Sequence, residues 1–307
     1  MASSSNKAVW PGKTFYWSTG KKLFASIPFT WELPKVAQKI KAEAGRWKQV
    51  LVGGPATQLI PDYFKNMEKV VVGTEMPGIL QKINPLATRT TIGCIRKCKF
   101  CGIGQGLIEN GKTRIAYGQA GNVLKPTETA SAGTFYELDD WPVKPIICDN
   151  NLLACTPAHF KRVIINLWGF EWCDFNQGLD PRLLTKFHAR WLKTLNNPII
   201  RLSLDSFKYA DAFDKAVDTL FSAGIRKYRL WSYCLIGFND TPEDAWKRCE
   251  HIERYGIKPL PMWFHSLDEL KKNHVTDKQA EAGWDEAERK NIMGWFYRHR
   301  GSKGPLK

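Results

Sequence analysis

From residue 88 onward the chain alternates short apolar runs with amphipathic stretches, and this alternation limits the folds open to it. The strand-like runs are TRTTIG (88–93), KPIICD (144–149), FEWCDF (170–175), IIRLSLD (199–205), KYRLWSYCLIG (227–237) and IKPLPMWF (257–264). Helical stretches are expected near 157–168, 181–195, 208–223, 242–255 and 284–298. Such alternation predicts a parallel sheet. Six units predict an α/β fold, a partial (β/α)6 TIM-type barrel with its chemistry at the carboxyl ends of the strands.

The stretch before residue 88 has the pattern of a smaller α/β region. It reads as a strand KLFASIPF, a helix LPKVAQKIKAEAG and two further strands, QVLVGGP and KVVVG. We therefore predict three regions: a small α/β N-terminal region over 1–85, the partial barrel over 86–265 and a helical C-terminal extension over 266–307. Within the barrel region, Thr241 as N-cap, Pro242 in the first turn and Gly256 as the stop give one helix clear ends.

The longest apolar runs indicate a soluble protein with no membrane partner. They are far shorter than the roughly 20 residues that a membrane-spanning helix needs, and the first residues, MASSSNKAVWPGK, lack the apolar core of a signal peptide. We therefore expect a cytoplasmic protein. Thiols stay reduced in that compartment, so its cysteines are expected to be metal ligands, buried residues or catalytic groups rather than disulfides.

Three of the eight cysteines lie close together in TIGCIRKCKFCGIG, at Cys94, Cys98 and Cys101. Structural zinc needs four protein ligands, and the chain has no second C-x-x-C pair and no H-x₃₋₅-H to complete such a site. Ferredoxin clusters use C-x₂-C-x₂-C with a fourth cysteine, whereas the spacing here is C-x₃-C-x₂-C. A [4Fe–4S] cluster held by three cysteines would leave one iron open to another ligand. The scattered cysteines are expected to be buried core thiols: Cys148, Cys155, Cys173, Cys234 and Cys249.

The cysteine motif resembles the signature of the radical S-adenosylmethionine (radical SAM) superfamily, C-x₃-C-x-aromatic-C at the end of a strand. Phe100 is the aromatic residue here and Gly102 follows the last cysteine. The resemblance covers roughly residues 85–265. It implies a [4Fe–4S] cluster on the three cysteines and SAM bound to the open iron. An electron from a flavodoxin- or ferredoxin-type donor would cleave SAM, and the resulting 5′-deoxyadenosyl radical would abstract hydrogen from a substrate.

The resemblance also implies contacts with SAM from residues at the ends of the predicted strands. In the family a motif after the second strand, often Gly-Gly-Glu, holds the methionine amino group, and this chain has a different sequence there. A polar residue ending the fourth strand often binds the ribose, and a glycine-containing fifth-strand motif packs on adenine through backbone atoms. The corresponding residues are Asp149, Asn150 and Asn151 for the amino group, Asp205 for the ribose, and Phe100, Ile236 and Gly237 for adenine.

The motif arrangement is most similar to radical SAM proteins that carry a cobalamin-binding-like N-terminal domain, and VLVGGPATQLIPDYF resembles a piece of that domain. The first 158 residues contain no histidine, so the D-x-H-x-x-G ligand for cobalt is absent. The sequence therefore predicts a short, degenerate remnant without cobalamin, while base-off binding with no protein ligand stays open.

The substrate is not encoded in a recognisable motif. Asn176, Gln177, Asp180 and Arg182, in the loop after the third strand, are the candidate catalytic residues on the substrate side, and the structural alternative is an Asp–Arg pair that caps the following helix. The net charge of +15 would suit a nucleic-acid partner. Two other functions stay open: a zinc- or Fe–S-stabilised nucleic-acid-binding protein without catalysis, and a radical SAM enzyme that modifies tRNA or another nucleic acid. A peptide or small metabolite is an equally open substrate.

Overall fold

A computed structural model of the chain describes residues 10–73, 78–103 and 135–298, together with the backbone of residues 108–109 and 112–113. The chain divides into two compact units. The first contains residues up to 150 with 266–272, and the second contains 151–265 with the residues from 273 onward. The predicted boundaries after residues 85 and 265 stay predictions, and residues 299–307 of the predicted C-terminal extension lie outside the described residues.

The first unit contains a four-stranded sheet in the order β1-β2-β3-β4. Its strands are β1 (Phe15–Thr19), β2 (Lys22–Ser26), β3 (Gln49–Gly53) and β4 (Val70–Val72), and its helices are α1 (Leu33–Ala42) and α2 (Pro55–Leu59). The first two strands form an antiparallel hairpin, and β2, β3 and β4 run parallel. The sequence pattern predicted all of these strands except β1.

One face of this sheet carries the core of the first unit. Burial alternates along β2 and β3, so that every second residue is buried and the residues between are exposed or partly buried. The core cluster is formed by Leu23, Ala25, Ile27, Leu33, Val36, Ile40, Val50, Val52, Ala56 and Phe64. At the end of β3, Gly54 has φ +98°, and a Cβ there would lie 2.6 Å from the carbonyl oxygen of Ile27. Close packing of two backbone segments therefore explains this glycine.

The cysteine-bearing part of the first unit is built from short elements. These are α3 (Ile79–Ile83), β5 (Ala87–Thr88), β6 (Thr91–Gly93), β7 (Ile108–Glu109), β8 (Lys112–Thr113), β9 (Phe135–Glu137) and β10 (Ile146–Ile147). Strand β5 pairs parallel with β10, whereas β6 pairs antiparallel with β9. The expectation of one continuous strand over 88–93 is therefore wrong. The break falls at Arg89 and Thr90, where the carboxylate of Asp149 accepts the amide hydrogens of Thr90 and Thr91.

The second unit repeats a strand–helix pattern. Its elements are α4 (Pro157–Leu167), β11 (Cys173–Phe175), α5 (Lys186–Leu192), β12 (Pro198–Ser203), α6 (Ala210–Ser222), β13 (Leu230–Ile236), α7 (Pro242–Arg254), β14 (Lys258–Trp263), α8 (Asp277–Glu281) and α9 (Glu286–Arg298). The four strands are parallel, are neighbours in chain order, and are connected by α5, α6 and α7. The predicted α/β fold with a parallel sheet is confirmed at this level.

Side-chain caps set where several of these helices begin. Thr241 starts α7 with a capping box to Asp244, as the sequence predicts for this helix end. The helix expected over 181–195 is shorter, because Pro181–Leu183 forms a separate 3₁₀ turn and α5 begins only after the capping residue Thr185.

The helices of the second unit cover a largely apolar side of its strands. Leu202 of β12 and Cys234 of β13 are fully buried, as are Val217 of α6 and Cys249 of α7. All five scattered cysteines are buried, so their prediction as core thiols is confirmed. Among the helices that the structure describes, none combines the length and apolar character that crossing a membrane requires.

Candidate metal centre

The three clustered cysteines lie in a loop that begins directly after β6. Gly93, the last residue of β6, has φ +81°, which turns the chain into this loop. The amide of Arg96 donates a hydrogen bond to the Cys94 sulfur at 3.4 Å. The amide of Cys101 donates to the carbonyl oxygen of Cys98 at 3.1 Å. All three thiols are partly exposed, which distinguishes them from the five buried cysteines.

The donor set fits a cluster in its chemistry, although the thiols do not converge. Within the described part of the chain, no three His, Cys, Asp or Glu side chains are grouped closely enough to hold a metal ion. Metal sites commonly form together with their metal, because metal binding is coupled to folding and to loss of the ligand protons. Three partly exposed cysteines in one loop, with an amide that already donates to one sulfur, are suited to a thiolate-ligated cluster. Phe100, the predicted adenine contact, lies between Cys98 and Cys101 and is partly buried.

The carboxylate of Asp149 organises the strand end that leads into the cysteine loop. Its Oδ1 accepts hydrogen bonds from the amides of Thr90 at 2.6 Å and Thr91 at 3.1 Å, and its Oδ2 accepts the Thr90 hydroxyl at 2.5 Å. Burial raises the pKa of Asp149 above its ordinary value, and this effect outweighs the lowering by these hydrogen bonds and by the charge of Arg89. Arg89 is itself buried and donates from Nε to the Cys148 carbonyl at 3.0 Å. Both oxygens of Asp149 therefore have partners inside the protein.

Near Asp149 in the paired segments, three side-chain polar atoms are buried without a hydrogen-bond partner among the described residues. They are the hydroxyls of Thr88 and Thr91 and the Nδ2 group of Asn150. Buried polar groups are nearly always satisfied in native proteins, so unsatisfied ones indicate a missing ligand or water. Asn150 was predicted as a SAM contact, whereas no sequence motif selects either threonine. Both threonines are fully buried, which leaves the partly exposed Asn150 as the group that a ligand could reach.

In the second unit, the candidate substrate residues after β11 form local contacts. Asp180 caps the 3₁₀ turn and binds Arg182 through both oxygens, to Nε at 2.6 Å and to Nη2 at 2.9 Å. This is the capping pair that the sequence offered as the structural alternative. Asn151 Nδ2 lies 3.5 Å from Asp180 Oδ2. Gln177 is exposed and donates to the Oδ1 of Asn176 at 3.4 Å.

Asp205 follows β12, and its carboxylate is hydrogen-bonded to the neighbouring strand β13. Its Oδ1 accepts the amide of Leu235 at 3.0 Å. Burial raises the pKa of Asp205 above its ordinary value, and this effect outweighs the lowering by the Leu235 amide and by the charges of Arg248 and Arg182. A ribose hydroxyl would therefore have to use the hydrogen-bond acceptor positions of Asp205 that the Leu235 amide does not occupy.

The turn at Ile236 and Gly237 is held by buried groups of the second unit. Gly237 donates from its amide to Asp240 at 2.9 Å and accepts from Gln279 at 2.8 Å, while the Ile236 carbonyl accepts the amide of Phe264 at 2.8 Å. A Cβ on Gly237 would lie 2.6 Å from the Trp263 ring. The backbone polar groups of this turn are thus engaged, so any contact with adenine would come chiefly from packing.

A charged network on β11, β12 and β13 was not predicted. Asp174 and Arg201 form a buried pair through two hydrogen bonds, with Nε to Oδ1 at 2.9 Å. The guanidinium also lies 4.7 Å from the centre of the Trp231 ring and 3.3 Å from the Tyr233 hydroxyl. Tyr233 in turn donates to the Asn176 carbonyl at 2.7 Å. The signal in the sequence is weak, because a single Asp and a single Arg in apolar strands gain meaning only when the strands are paired.

No protein-family model, curated protein or solved structure matches this chain. The assignment of a function therefore depends on the residues and contacts described above.

Proposed function

We propose that the protein is a radical SAM enzyme in which Cys94, Cys98 and Cys101 hold a [4Fe–4S] cluster. The observation that carries this proposal is the set of three partly exposed thiols in one short loop directly after a strand, in the C-x₃-C-x₂-C spacing. A structural zinc site would need a fourth ligand, and the sequence has no second C-x-x-C pair and no H-x₃₋₅-H to supply one. A [4Fe–4S] cluster held by three protein ligands has one iron left open to a further ligand such as SAM.

The partial barrel is part of the same proposal. The sequential, parallel order of β11, β12, β13 and β14, with a helix after each of the first three, is the arrangement of consecutive barrel strands. A doubly wound sheet would instead reverse its strand order at a switch point.

When bound, the cluster and SAM would supply a 5′-deoxyadenosyl radical that removes hydrogen from the substrate. The chain would hold the cluster through the three thiolates and would satisfy the orphaned Nδ2 group of Asn150, a partly exposed residue, with SAM or with water. Asp149 is better suited to positioning the loop than to binding the SAM amino group, because both of its oxygens are already engaged. Asp205 keeps the role implied by the resemblance, a contact with the ribose.

The surroundings of the loop favour a negatively charged redox partner. Lys97 and Lys99 are exposed, as is Ile95. An acidic flavodoxin or ferredoxin would complement this charge. The same positive charge also supports a second candidate function, that of a metal-stabilised nucleic-acid-binding protein without catalysis.

Anaerobic reconstitution with iron and sulfide tests the proposal. The expected result is about four irons per chain, an EPR signal of the reduced cluster that changes when SAM is added, and 5′-deoxyadenosine after reduction. Cys98→Ala should abolish all three, whereas Cys155→Ala, at a buried cysteine outside the loop, should retain them. One tightly bound zinc per chain after aerobic purification, with no SAM-dependent EPR change and no 5′-deoxyadenosine, would instead support the non-catalytic alternative.

A further inference from the structure

Three loops of the second unit meet at the amino ends of three neighbouring strands. The loops are residues 193–197, 223–229 and 255–257, and they lead into β12, β13 and β14 in turn. Lys193 joins the first two loops, because its ammonium group donates to the Gly224 carbonyl at 2.9 Å. This contact brings a positive charge of the first loop onto the second.

Further basic side chains link the same loops. Arg229 of the second loop donates from its guanidinium to the side-chain oxygen of Asn197 in the first. A Cβ on Gly256, in the third loop, would lie 2.8 Å from the Cδ of Lys227 in the second. Four positive side chains therefore gather at this end of the sheet, three of them exposed and Arg229 partly exposed. We call them the basic rim: Lys193, Arg226, Lys227 and Arg229.

No carboxylate forms an ion pair with the basic rim within the described part of the chain. The hydrogen bonds of the rim go to neutral groups, a backbone carbonyl, an amide oxygen and a tyrosine hydroxyl. Other exposed lysines of the same unit do pair, Lys247 with Glu243 and Lys290 with Glu286, each at 2.6 Å. Residues 219–239, which include the second loop, contain no Asp or Glu. The charge of the rim is therefore left for a partner.

The apolar groups at the basic rim are few. In its three loops, which the structure describes throughout, Tyr228 is the one exposed large apolar side chain, with the guanidinium carbons of Arg229 and Arg226 at 5.0 and 6.0 Å from its ring centre. Trp168 borders the first loop and donates to the Thr194 hydroxyl at 2.9 Å. Protein interfaces have an apolar core and are poor in lysine, whereas nucleic-acid interfaces are more polar and much more positive. The composition of the rim favours the second kind of partner.

We propose that the basic rim binds the phosphate backbone of a nucleic acid. Guanidinium groups match phosphate oxygens in geometry and in charge, and the lysines add point charges. Phosphates carry no sequence information, so the binding is expected to be independent of sequence. At about 3.3 Å per residue, Gly237 lies roughly 25 Å along β13 from Arg229, so the rim is separate from the candidate site residues at the carboxyl ends. The inference goes beyond the proposed radical SAM function and does not rest on it.

Fluorescence anisotropy on the full chain tests this inference with two labelled probes, a twenty-nucleotide deoxythymidine strand and a DNA duplex of the same length. Each neutralised phosphate contributes about 0.7 to the slope of log K against log salt for a single strand and about 0.9 for a duplex. The double variant Arg226→Gln/Arg229→Gln should therefore flatten the slope by roughly 1.4 or 1.8. At about 0.1 M salt its affinity for the single strand should fall roughly 25-fold. The two probes distinguish single-stranded from duplex nucleic acid.

Lys247→Gln/Lys290→Gln is the matched control, because it removes the same two charges from exposed positions of the same unit that are already paired. It should leave the slope unchanged. Arg226→Lys/Arg229→Lys keeps the charge of the rim and should keep the slope. Circular dichroism checks the folding of each variant. Arg226→Gln alone, which loses only the bond to the Tyr228 hydroxyl, should flatten the slope by roughly half as much and does not disturb the loop contact of Arg229.

Three results would overturn the inference. The first is an unchanged slope in Arg226→Gln/Arg229→Gln. The second is an equal loss of slope in the control, which would show that the net charge of the chain, and not the rim, binds the probe. The third is tighter binding of a labelled polyglutamate peptide or of anionic vesicles than of either oligonucleotide, which would indicate an acidic protein or a lipid surface. Cys98→Ala should lose 5′-deoxyadenosine formation and keep oligonucleotide binding, so the two proposals fail separately.

Discussion

Replacing Asp149 tests how the strand end before the cysteine loop is held. Asp149→Ala removes the acceptor of two backbone amides and one hydroxyl, all in a buried environment. The Thr90 hydroxyl can rotate toward another partner, but the amides of Thr90 and Thr91 are fixed by the backbone. Leaving a buried donor unpaired costs about 1–3 kcal/mol. We therefore expect Asp149→Ala to lose roughly 2–6 kcal/mol of unfolding free energy.

Asp149→Asn separates a positioning role from a role in SAM binding. The amide oxygen can accept both backbone hydrogens at the position of Oδ1, and the amide nitrogen can donate to the Thr90 hydroxyl. We expect this variant to lose only about 1 kcal/mol, the difference between a charged and a neutral acceptor. If Asp149 instead bound the SAM amino group, Asp149→Asn would keep its stability and its iron but lose SAM binding.

Urea unfolding, iron content after reconstitution and the SAM-dependent EPR change are measured on wild type and both variants. Asp139→Ala, at an exposed carboxylate of the same unit, is the control and should be neutral. The positioning role predicts that stability and iron content fall together in Asp149→Ala and are largely kept in Asp149→Asn. An unfolding free energy of Asp149→Ala within about 0.5 kcal/mol of wild type, the range of ordinary surface substitutions, would refute this reasoning.

Three further predictions concern the second unit. Burial lowers the pKa of His188 from its ordinary value of 6.5, so its contribution to stability is present above that pH and lost as the pH falls below it; His188→Gln should flatten the stability difference between pH 7.5 and 5.5 in urea titrations. Gly237→Ala should cost roughly 2–4 kcal/mol, because φ is +80° and the new Cβ would meet the Trp263 ring; an unchanged urea midpoint would count against this. Arg248→Met should cost about 3–5 kcal/mol by leaving Asp240 buried and unpaired, whereas Asp240→Asn should lose less.

The sequence predicted the regular parts of the fold because their signals are local. The capped start of α7 at Thr241 depends on residues within one turn, and it is confirmed. The parallel order of β11 to β14 follows from strands separated by helices. The break between β5 and β6 was missed for the opposite reason. It depends on Asp149, 59 residues from Thr90, and the segment TRTTIG by itself has strong strand propensity.

The candidate site was predictable in its ligands and much less so in its surroundings. A cysteine spacing can be read directly, since the three thiols lie within eight residues of one another. The partners of Asp149, Asp180 and Gly237 depend on which strands pair, and this information is not local. For that reason a polar residue at a strand end could equally have been predicted to bind SAM or to hold a turn.

The hydrogen bonds of the candidate site residues decide which of them are free to bind a ligand. A side chain whose hydrogen-bonding groups already have protein partners gains little from a ligand, because a new contact would have to replace an existing one. Asp149 belongs to this class. The hydroxyls of Thr88 and Thr91 and the amide nitrogen of Asn150 are buried and have no hydrogen-bond partner among the described residues, so a ligand that satisfied them would relieve a cost already present in the folded chain. Thr88 and Thr91 are fully buried, whereas Asn150 is partly exposed, so the Asn150 amide is the expected polar contact beside the cysteine loop.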